Sequence, residues 1–315
     1  MRNQSDRIRS PAVPTPIVVS NVSKRFGSRL AVDDVSFTVE PGRITGFLGP
    51  NGAGKTTTLR ILLGLCRPTT GSATFGDRTF GELPNPKLTV GAALDSDGFH
   101  PARSGRDQLR IQAMAAKIER GRVDEVLELT GLTESARRPV RGYSLGMKQR
   151  LSLAECLLGD PPVLVLDEPT NGLDPAGIAW LRDFLRYQAD HGKTILLSSH
   201  MLNEVSHLVD DVVVIDHGSC LRSGSMASWR GETESAVWVR TPSDVELLAL
   251  LERTGHRCDV REGGWILVHG LETSEISGLA FEAGVQLTHV EPYSRSLEEM
   301  FFDLVGSEQR GFAHA

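Results

Sequence analysis

Cysteine is scarce in this sequence, and its distribution argues against disulfide-rich and zinc-bound folds. The 315 residues contain four cysteines, Cys66, Cys156, Cys220 and Cys258, and no two of them form a C-x-x-C pair. A disulfide framework or a structural zinc site would need closely spaced thiols. We therefore expect the chain to work in a reducing cytoplasm.

Long hydrophobic runs are also missing. No stretch approaches the roughly 18 consecutive apolar residues that a membrane-spanning helix needs. Residues 1–16 carry charges and three prolines but no apolar core, so we interpret them as a flexible leader and not as a signal peptide. We therefore expect no membrane-spanning helix in this sequence.

Neither sign of charge dominates the composition. Lys and Arg number 34 against 40 for Asp and Glu, which gives a net charge of −6. Basic residues such as Arg137, Arg138 and Arg141 are too few to form a stripe along one face. We therefore expect no nucleic-acid partner. The length allows one large hydrophobic core and a smaller one.

What the sequence does contain is a phosphate-binding loop. Gly49, Gly54, Lys55 and Thr56 meet the pattern G-x-x-x-x-G-K-[ST], between an apolar run and a helical pattern. The glycines let backbone N–H groups turn towards an anion at a helix N-terminus, where the helix dipole favours phosphate. Lys55 is predicted to reach the β- and γ-phosphates of a nucleotide, and Thr56 to ligate Mg²⁺. The predicted nucleotide-binding residues of the loop are Gly49, Pro50, Asn51, Gly52, Ala53, Gly54, Lys55, Thr56 and Thr57.

An acidic strand follows about a hundred residues later. Residues 163–166 are a continuous apolar run, as expected of a central parallel strand that is buried on both faces. The run ends in Asp167 and Glu168, at the sheet edge where open α/β folds bind ligands. Two carboxylates there can divide the chemistry: Asp167 would hold Mg²⁺ through water, and Glu168 would orient and polarise the attacking water.

Five motifs in one order resemble those of a known family. Residues 17–225 are similar to the nucleotide-binding subunit of an ABC transporter. The matching motifs are the phosphate loop at 49–56, the signature at 143–147, the acidic strand at 163–168, the D-loop at 171–174 and the switch histidine His200. Within the family, residues 144–150 and 296–301 resemble the ATPases of daunorubicin- and bacitracin-type resistance exporters.

The resemblance implies a dimer and further site residues. Ser144 and Gly146 would begin a helix whose N-terminus points at the γ-phosphate held by a second subunit, in a head-to-tail dimer. His200 would bind the γ-phosphate and take part in catalysis with Glu168 and Lys55. The alternative for His200 is a helix-capping or surface histidine.

Two other implied roles have ordinary alternatives. Phe26 would stack on the adenine of the nucleotide, or it would be a core residue beside a hairpin. Asp174 would organise the dimer seam, although Asp before Pro175 also makes an ordinary helix N-cap.

Two positions depart from the family pattern. Leu145 stands where the signature usually has glycine, so its side chain must be accommodated beside the partner's nucleotide. Asp95 stands where the family has a glutamine, and the next glutamine, Gln108, lies within a helical pattern. Because a carboxylate can bind Mg²⁺, we expect Asp95 to contact metal and nucleotide while changing how hydrolysis is coupled to the membrane partner.

The predicted fold class is α/β, a P-loop ABC-type nucleotide-binding domain followed by a small ferredoxin-like α+β domain. The nucleotide-binding domain spans 17–228 and combines a mostly parallel sheet with antiparallel strands and a helical subdomain at about 100–158. The accessory domain spans 229–305, and a disordered tail spans 306–315. The pattern of the accessory domain is β-α-β-β-α-β, with a last strand at 285–290. A final amphipathic helix is predicted around Leu297, Met300, Phe301 and Leu304.

The function predicted from these features is ATP binding and hydrolysis with Mg²⁺ by a peripheral protein on the cytoplasmic face of the membrane. It would dimerise as a homodimer or heterodimer and dock on an integral membrane permease. Export of drugs, antibiotics or lipophilic compounds is implied by the resemblance alone. The alternatives are a soluble ABC-type ATPase acting on ribosomes or DNA, and a non-hydrolysing ATP-binding regulator.

Overall fold

The computed structural model describes residues 14–94, 98–201, 205, 207–231, 235–261, 263–293 and 299. Asp95, the predicted tail at 306–315, and most of the predicted leader and final helix lie outside this part of the chain. The chain divides into two compact units after Met226.

The first unit is built on a six-stranded sheet in the order β5-β6-β7-β3-β8-β9. The strands are β3 (Ile44–Leu48), β5 (Val90–Ala93), β6 (Val163–Leu166), β7 (Thr194–Ser199), β8 (Asp211–Asp216) and β9 (Ser219–Ser225). The pairs from β5 through to β8 are parallel, and β8 and β9 form an antiparallel hairpin. Strands β3, β6 and β7 are buried along their whole length, which explains the continuous apolar sequence of β6.

A smaller antiparallel sheet packs on the first. Its strands are β1 (Ile17–Phe26), β2 (Arg29–Val39) and β4 (Thr70–Phe75), in the order β2-β1-β4. Inward-facing residues of this sheet share one hydrophobic cluster with the central sheet. The ring centroids of Phe37 and Phe47 lie 5.1 Å apart within it.

Helices flank the central sheet and form a separate helical layer. They are α1 (Lys55–Leu62), α2 (Pro86–Thr89), α3 (Gly105–Ala115), α4 (Gly121–Leu129), α5 (Leu145–Cys156) and α6 (Pro175–Asp190). Helices α3, α4 and α5 pack on one another, as predicted for the helical part. A further helix, α7 (Met226–Gly231), lies where the two units divide.

The second unit has the predicted β-α-β-β-α-β order. Its elements are β10 (Ala236–Arg240), α8 (Asp244–Thr254), β11 (Cys258–Arg261), β12 (Trp265–His269), α9 (Thr273–Glu282) and β13 (His289–Tyr293). The four strands form an antiparallel sheet in the order β11-β12-β10-β13. Its own hydrophobic cluster includes Val239, Leu251, Ile266 and Ile276, all fully buried. This unit therefore has a core of its own.

The predicted last strand was wrong in its bounds. The prediction was 285–290, whereas β13 begins at His289. The reason is the end of α9, where Gly284 has a φ of 71° and the Val285 N–H donates to Ala280 O at 2.8 Å. This is a Schellman ending, in which an apolar residue after the glycine packs back on the helix. Val285 is apolar because it packs back on the end of α9. In the sequence, such a residue cannot be distinguished from the first residue of a strand.

Candidate active site

The phosphate loop connects β3 to α1, and two of its glycines are required by close packing. Gly54 has a φ of 109°, and a Cβ there would lie 2.6 Å from Ala31 O. A Cβ on Gly49 would overlap the carbonyl oxygen of Ile215. Since neighbouring strands approach the loop backbone this closely, any side chain at either position would force the loop to move.

Lys55 is buried at the first turn of α1, with 6% of its side chain exposed. Its Nζ donates to Gly49 O at 2.7 Å and to Pro50 O at 3.2 Å. The same ammonium lies 3.5 Å from Glu168 Oε1. The lysine therefore joins the phosphate loop to the end of the acidic strand.

The acidic strand ends beside the same helix. Thr56 Oγ1 donates to Asp167 Oδ2 at 2.8 Å, and Ser198 Oγ donates to Asp167 Oδ1. Asp167 is 8% exposed. Both carboxylate oxygens are thus held by hydroxyl groups, which fixes the orientation of Asp167.

Ser198 was not among the predicted site residues. It is fully buried at the end of β7, where its Oγ also accepts the Glu168 N–H at 2.9 Å. The parallel register pairs Leu166 with Leu197, so the residues that follow on each strand lie side by side. A serine closing an apolar strand was a signal, but the pairing of β6 with β7 cannot be read from either segment alone.

Glu168 is held between two basic groups. Its Oε2 lies 2.8 Å from His200 Nδ1 and accepts the His200 backbone N–H at 3.3 Å, while its Oε1 faces Lys55. Its backbone φ is 49°, in a region that L residues rarely adopt. Lys55, Glu168 and His200 therefore meet at one point, and His200 does not cap a helix among the described residues.

Lys55 and Glu168 border a cavity of about 430 Å³, whereas His200 is not among its lining residues. The cavity is lined by Phe26, Arg29, Ala31, Asn51, Gly52, Gly54, Lys55, Thr56, Thr57 and Glu168. Phe26 ends β1, has 51% of its surface exposed and lies under Lys24, whose Nζ is 4.8 Å from the ring centroid. The alternative of a core phenylalanine is therefore wrong. Arg29, which pairs with Phe26 across the hairpin, was not singled out in advance.

The signature residues lie elsewhere in the unit. Ser144 is the N-cap of α5, where its Oγ accepts the Met147 N–H at 3.2 Å, and Gly146 is the second residue of the helix. The preceding Tyr143 is buried, and its hydroxyl donates to Ser135 O at 2.8 Å. That burial raises the pKa of Tyr143. The start of α5 is therefore firmly anchored, but it does not line the cavity around Lys55.

Asp174 caps a helix, and Gln108 lies away from the cavity. Asp174 is the N-cap of α6, and its Oδ1 accepts the Gly177 N–H at 2.9 Å, ahead of Pro175 at the first helical position. Gln108 is buried within α3 and does not line the cavity. The seam role of Asp174 needs a second subunit and stays a prediction.

Oxygen ligands for a divalent cation are present at the edge of the cavity. Mg²⁺ is usually held by one or two protein oxygens together with substrate phosphates, and the hydroxyl of Thr56 and the carboxylate of Asp167 supply such a pair. In the part of the chain that the structure describes, no group of three or more His, Cys, Asp and Glu could hold a metal by itself. The site thus fits a cation that arrives with its nucleotide.

A strand–loop–helix phosphate cradle beside a buried acidic strand defines a P-loop nucleotide-binding protein. The family model described as "ABC transporter" matches residues 32–171, and one described as a domain of unknown function matches residues 235–298. No helix among the described residues is both long enough and apolar enough to cross a membrane.

Known proteins resemble the chain along almost all of its length. It is 36% identical over 299 residues to the bacitracin transport ATP-binding protein BcrA of Bacillus licheniformis, covering 93% of this chain and 98% of the relative. It is 35% identical over 311 residues to the daunorubicin resistance ATP-binding protein DrrA3 of Streptomyces coeruleorubidus, covering 94% and 98%. The chain belongs to the ATP-binding proteins of ABC transporters, as the motifs predicted.

A solved structure gives the same fold. It is a dimeric ATP-binding cassette in a post-hydrolysis state, bound to ADP and Pi, with a TM-score of 0.61 and 21% identity. The match covers 67% of this chain and 98% of that one. The predicted fold class is thereby confirmed, as a nucleotide-binding cassette with an additional C-terminal unit.

Proposed function

We propose that this chain hydrolyses Mg·ATP and that hydrolysis powers a membrane-embedded transporter subunit. The observation that supports the proposal most directly is the meeting of Lys55, Glu168 and His200 beside the phosphate loop. A nucleotide-binding regulator would need the loop alone. It would have no use for a carboxylate held between a lysine and a histidine.

Each of these groups has a chemical task in the proposed reaction. Lys55 and the loop N–H groups would bind the β- and γ-phosphates, and His200 would bind the γ-phosphate. Because Lys55 and His200 would then both face phosphate oxygens, the Glu168 carboxylate would be released to orient water and accept its proton. Thr56 and Asp167 would hold Mg²⁺, which neutralises charge on the β- and γ-phosphate oxygens.

The proposed working form is a dimer. Ser144 and Gly146 do not line the cavity of their own chain, although a helix N-terminus is suited to bind a phosphate. We infer that each chain supplies these residues to the nucleotide of a partner, with Asp174 near the seam. A complete set of motifs lets two copies of this chain form two competent sites, so a homodimer is sufficient.

The proposed partner is an integral membrane permease, which the ATPase would bind from the cytoplasmic side. Relatives with 35–36% identity are named for bacitracin transport and daunorubicin resistance. We therefore propose an antibiotic or another lipophilic compound as cargo, moved outward. Sensitivity of a deletion strain to a panel of such compounds, with and without the restored gene, tests the cargo assignment.

The hydrolysis proposal is tested by a Glu168→Gln variant. General acid–base groups typically contribute about 10²–10⁴-fold in rate, so kcat should fall by at least the lower value while ATP binding remains. Glu252→Gln is the matched control, because Glu252 is an exposed residue of α8 outside the site. Equal rates in the Glu168→Gln variant and the parent would remove the assignment of the base.

The transport proposal is tested by recovering the partner. The Glu168→Gln protein, held with Mg·ATP, should co-purify a polytopic membrane protein from solubilised membranes, and should lose it without nucleotide. Recovery of ribosomes or DNA in its place would keep the ATPase chemistry and overturn the transport assignment.

The adenine contact is tested at Phe26. Removing an aromatic face from the base should raise KM for ATP by roughly tenfold or more, since stacking on a base contributes about 1–3 kcal/mol, and should leave kcat unchanged. Phe281→Ala is the control, because Phe281 is 87% exposed on α9. An unchanged KM for Phe26→Ala would contradict the assignment.

The proposal for Asp95 follows from its position after β5. If it contacts metal, Asp95→Gln should leave the ATPase rate within a few-fold of the parent. Complete loss of nucleotide binding in that variant would refute the proposed role.

A further inference from the structure

The first turn of α5 fits into a gap that a glycine leaves open. Gly172, in the loop after the acidic strand, has a φ of 76°. A Cβ on Gly172 would overlap Leu145 Cγ and Cδ2 and would lie 3.2 Å from Leu145 Cβ. A Cβ on Gly146 would in turn lie 3.2 Å from Gly172 O. The Leu145 side chain thus occupies the place that a side chain at residue 172 would need.

Both sides of this contact lead directly to site residues. Leu145 follows Ser144, whose hydroxyl caps α5. Gly172 belongs to a turn in which the Asn171 N–H donates to Glu168 O at 3.1 Å. A displacement of Leu145 would therefore reach the backbone of Glu168 through a short and tightly packed path.

The contact with Gly172 covers only part of the Leu145 side chain, since 50% of the surface of Leu145 is exposed. One side of the leucine packs on the turn after Glu168, and the other faces solvent at the helix end that we assign to a partner's nucleotide. A glycine at position 145 could not make either contact.

We propose that Leu145 is a positioning residue that couples the two nucleotide sites of the dimer through Gly172. Closure of the helix start on the partner's γ-phosphate shifts Leu145, and Leu145 moves the turn that carries Glu168 of its own chain. This inference rests on the proposed function, because it requires two nucleotides bound between two chains.

The test is a double-mutant cycle between positions 145 and 172, read by ATP hydrolysis in the full chain. Leu145→Gly removes the contact, so the Hill coefficient for ATP should fall from nearly two, its limit for two sites, to about one. Gly172→Ala pushes Leu145 out of place, and misplacement of the catalytic carboxylate should lower kcat on the order of tenfold or more. In the double variant most of the kcat should return, since the alanine then meets no leucine.

Gly192→Ala is the control for backbone strain. Gly192 has a φ of 86°, similar to that of Gly172, and a Cβ there meets nothing within 4 Å. It should keep the parental kcat and Hill coefficient. An equal kcat loss from Gly172→Ala with and without Leu145, or an unchanged Hill coefficient in Leu145→Gly, would overturn the proposal.

A second measurement separates this inference from the proposed function. In the Glu168→Gln background, the same cycle is read as ATP-dependent dimerisation by sedimentation. If the parent does not hydrolyse ATP, the proposed function fails, while coupling between the two substitutions in dimerisation still supports the contact. Independent effects of the two substitutions on dimerisation would refute the coupling whatever the hydrolysis rate.

Discussion

Replacing Ser198 with alanine should weaken the positioning of Asp167 and Glu168. Its hydroxyl donates to Asp167 Oδ1 and accepts the Glu168 N–H at 2.9 Å, and the residue is fully buried. Ser198→Ala removes both hydrogen bonds and leaves a backbone donor without its partner. One atom therefore supports both carboxylate residues at once.

The magnitude follows from those two losses. A buried polar group without a partner costs about 1–3 kcal/mol, and a hydrogen bond to a charged group contributes about 1.5–3 kcal/mol. Since both arise at one site and its neighbours relax, we expect the free energy of unfolding to fall by about 2–4 kcal/mol. Asp167 keeps its 2.8 Å hydrogen bond from Thr56, so the cation site is weakened and not lost.

The assays are urea unfolding followed by circular dichroism and the Mg²⁺ dependence of ATP hydrolysis. Loss of an outer-shell partner typically lowers metal affinity or activity by about 10–100-fold, so half-saturation should require roughly tenfold more Mg²⁺ in the Ser198→Ala variant. Ser199→Ala is the matched control. Ser199 is equally buried, but its hydroxyl bonds to Met201 and touches neither carboxylate. If both variants lose the same stability and neither changes the Mg²⁺ dependence, the reasoning is refuted.

Two further substitutions and one alkylation experiment test other parts of the first unit. Gly54→Ala should abolish binding of a fluorescent ATP analogue, because its Cβ would lie 2.6 Å from Ala31 O; retained binding would contradict the steric argument. Burial raises the pKa of Cys156 to about 12, so mass spectrometry should find this thiol unalkylated at pH 8 until the protein is unfolded. Burial also raises the pKa of Glu155 despite Lys87 nearby, so ionisation of Glu155 destabilises the fold as the pH rises past its unfolded value. Glu155→Gln should accordingly raise Tm at pH 7, with a gain that disappears at low pH; an equal gain at both pH values would show that ionisation is not the cause.

The second unit shows how far local patterns reach. Strand and helix order, and the Gly263–Gly264 turn between β11 and β12, were predicted from alternation and turn residues. The bounds of β13 were not, because the Schellman ending of α9 places an apolar residue just after Gly284. An apolar residue that closes a helix and one that begins a strand look alike in the sequence.

The phosphate loop could be predicted because its chemistry is carried by consecutive residues. The defining residues lie close together in the chain: Gly49, Gly54, Lys55 and Thr56. Gly54 has a φ of 109°, a backbone conformation that residues other than glycine rarely adopt. The apolar run before Asp167 likewise indicated a buried strand by itself.

Only the tertiary structure decided which distant residues meet. Ser198 lies beside Asp167 because β6 and β7 pair in parallel register, and Leu145 packs on Gly172 because α5 begins next to the turn after β6. Phe26 lines the cavity because β1 ends beside the phosphate loop, which the sequence alone does not show. Local propensity acts over a few residues, whereas these contacts join residues that are 25 or more positions apart in the chain. Only tertiary packing brings such residues together.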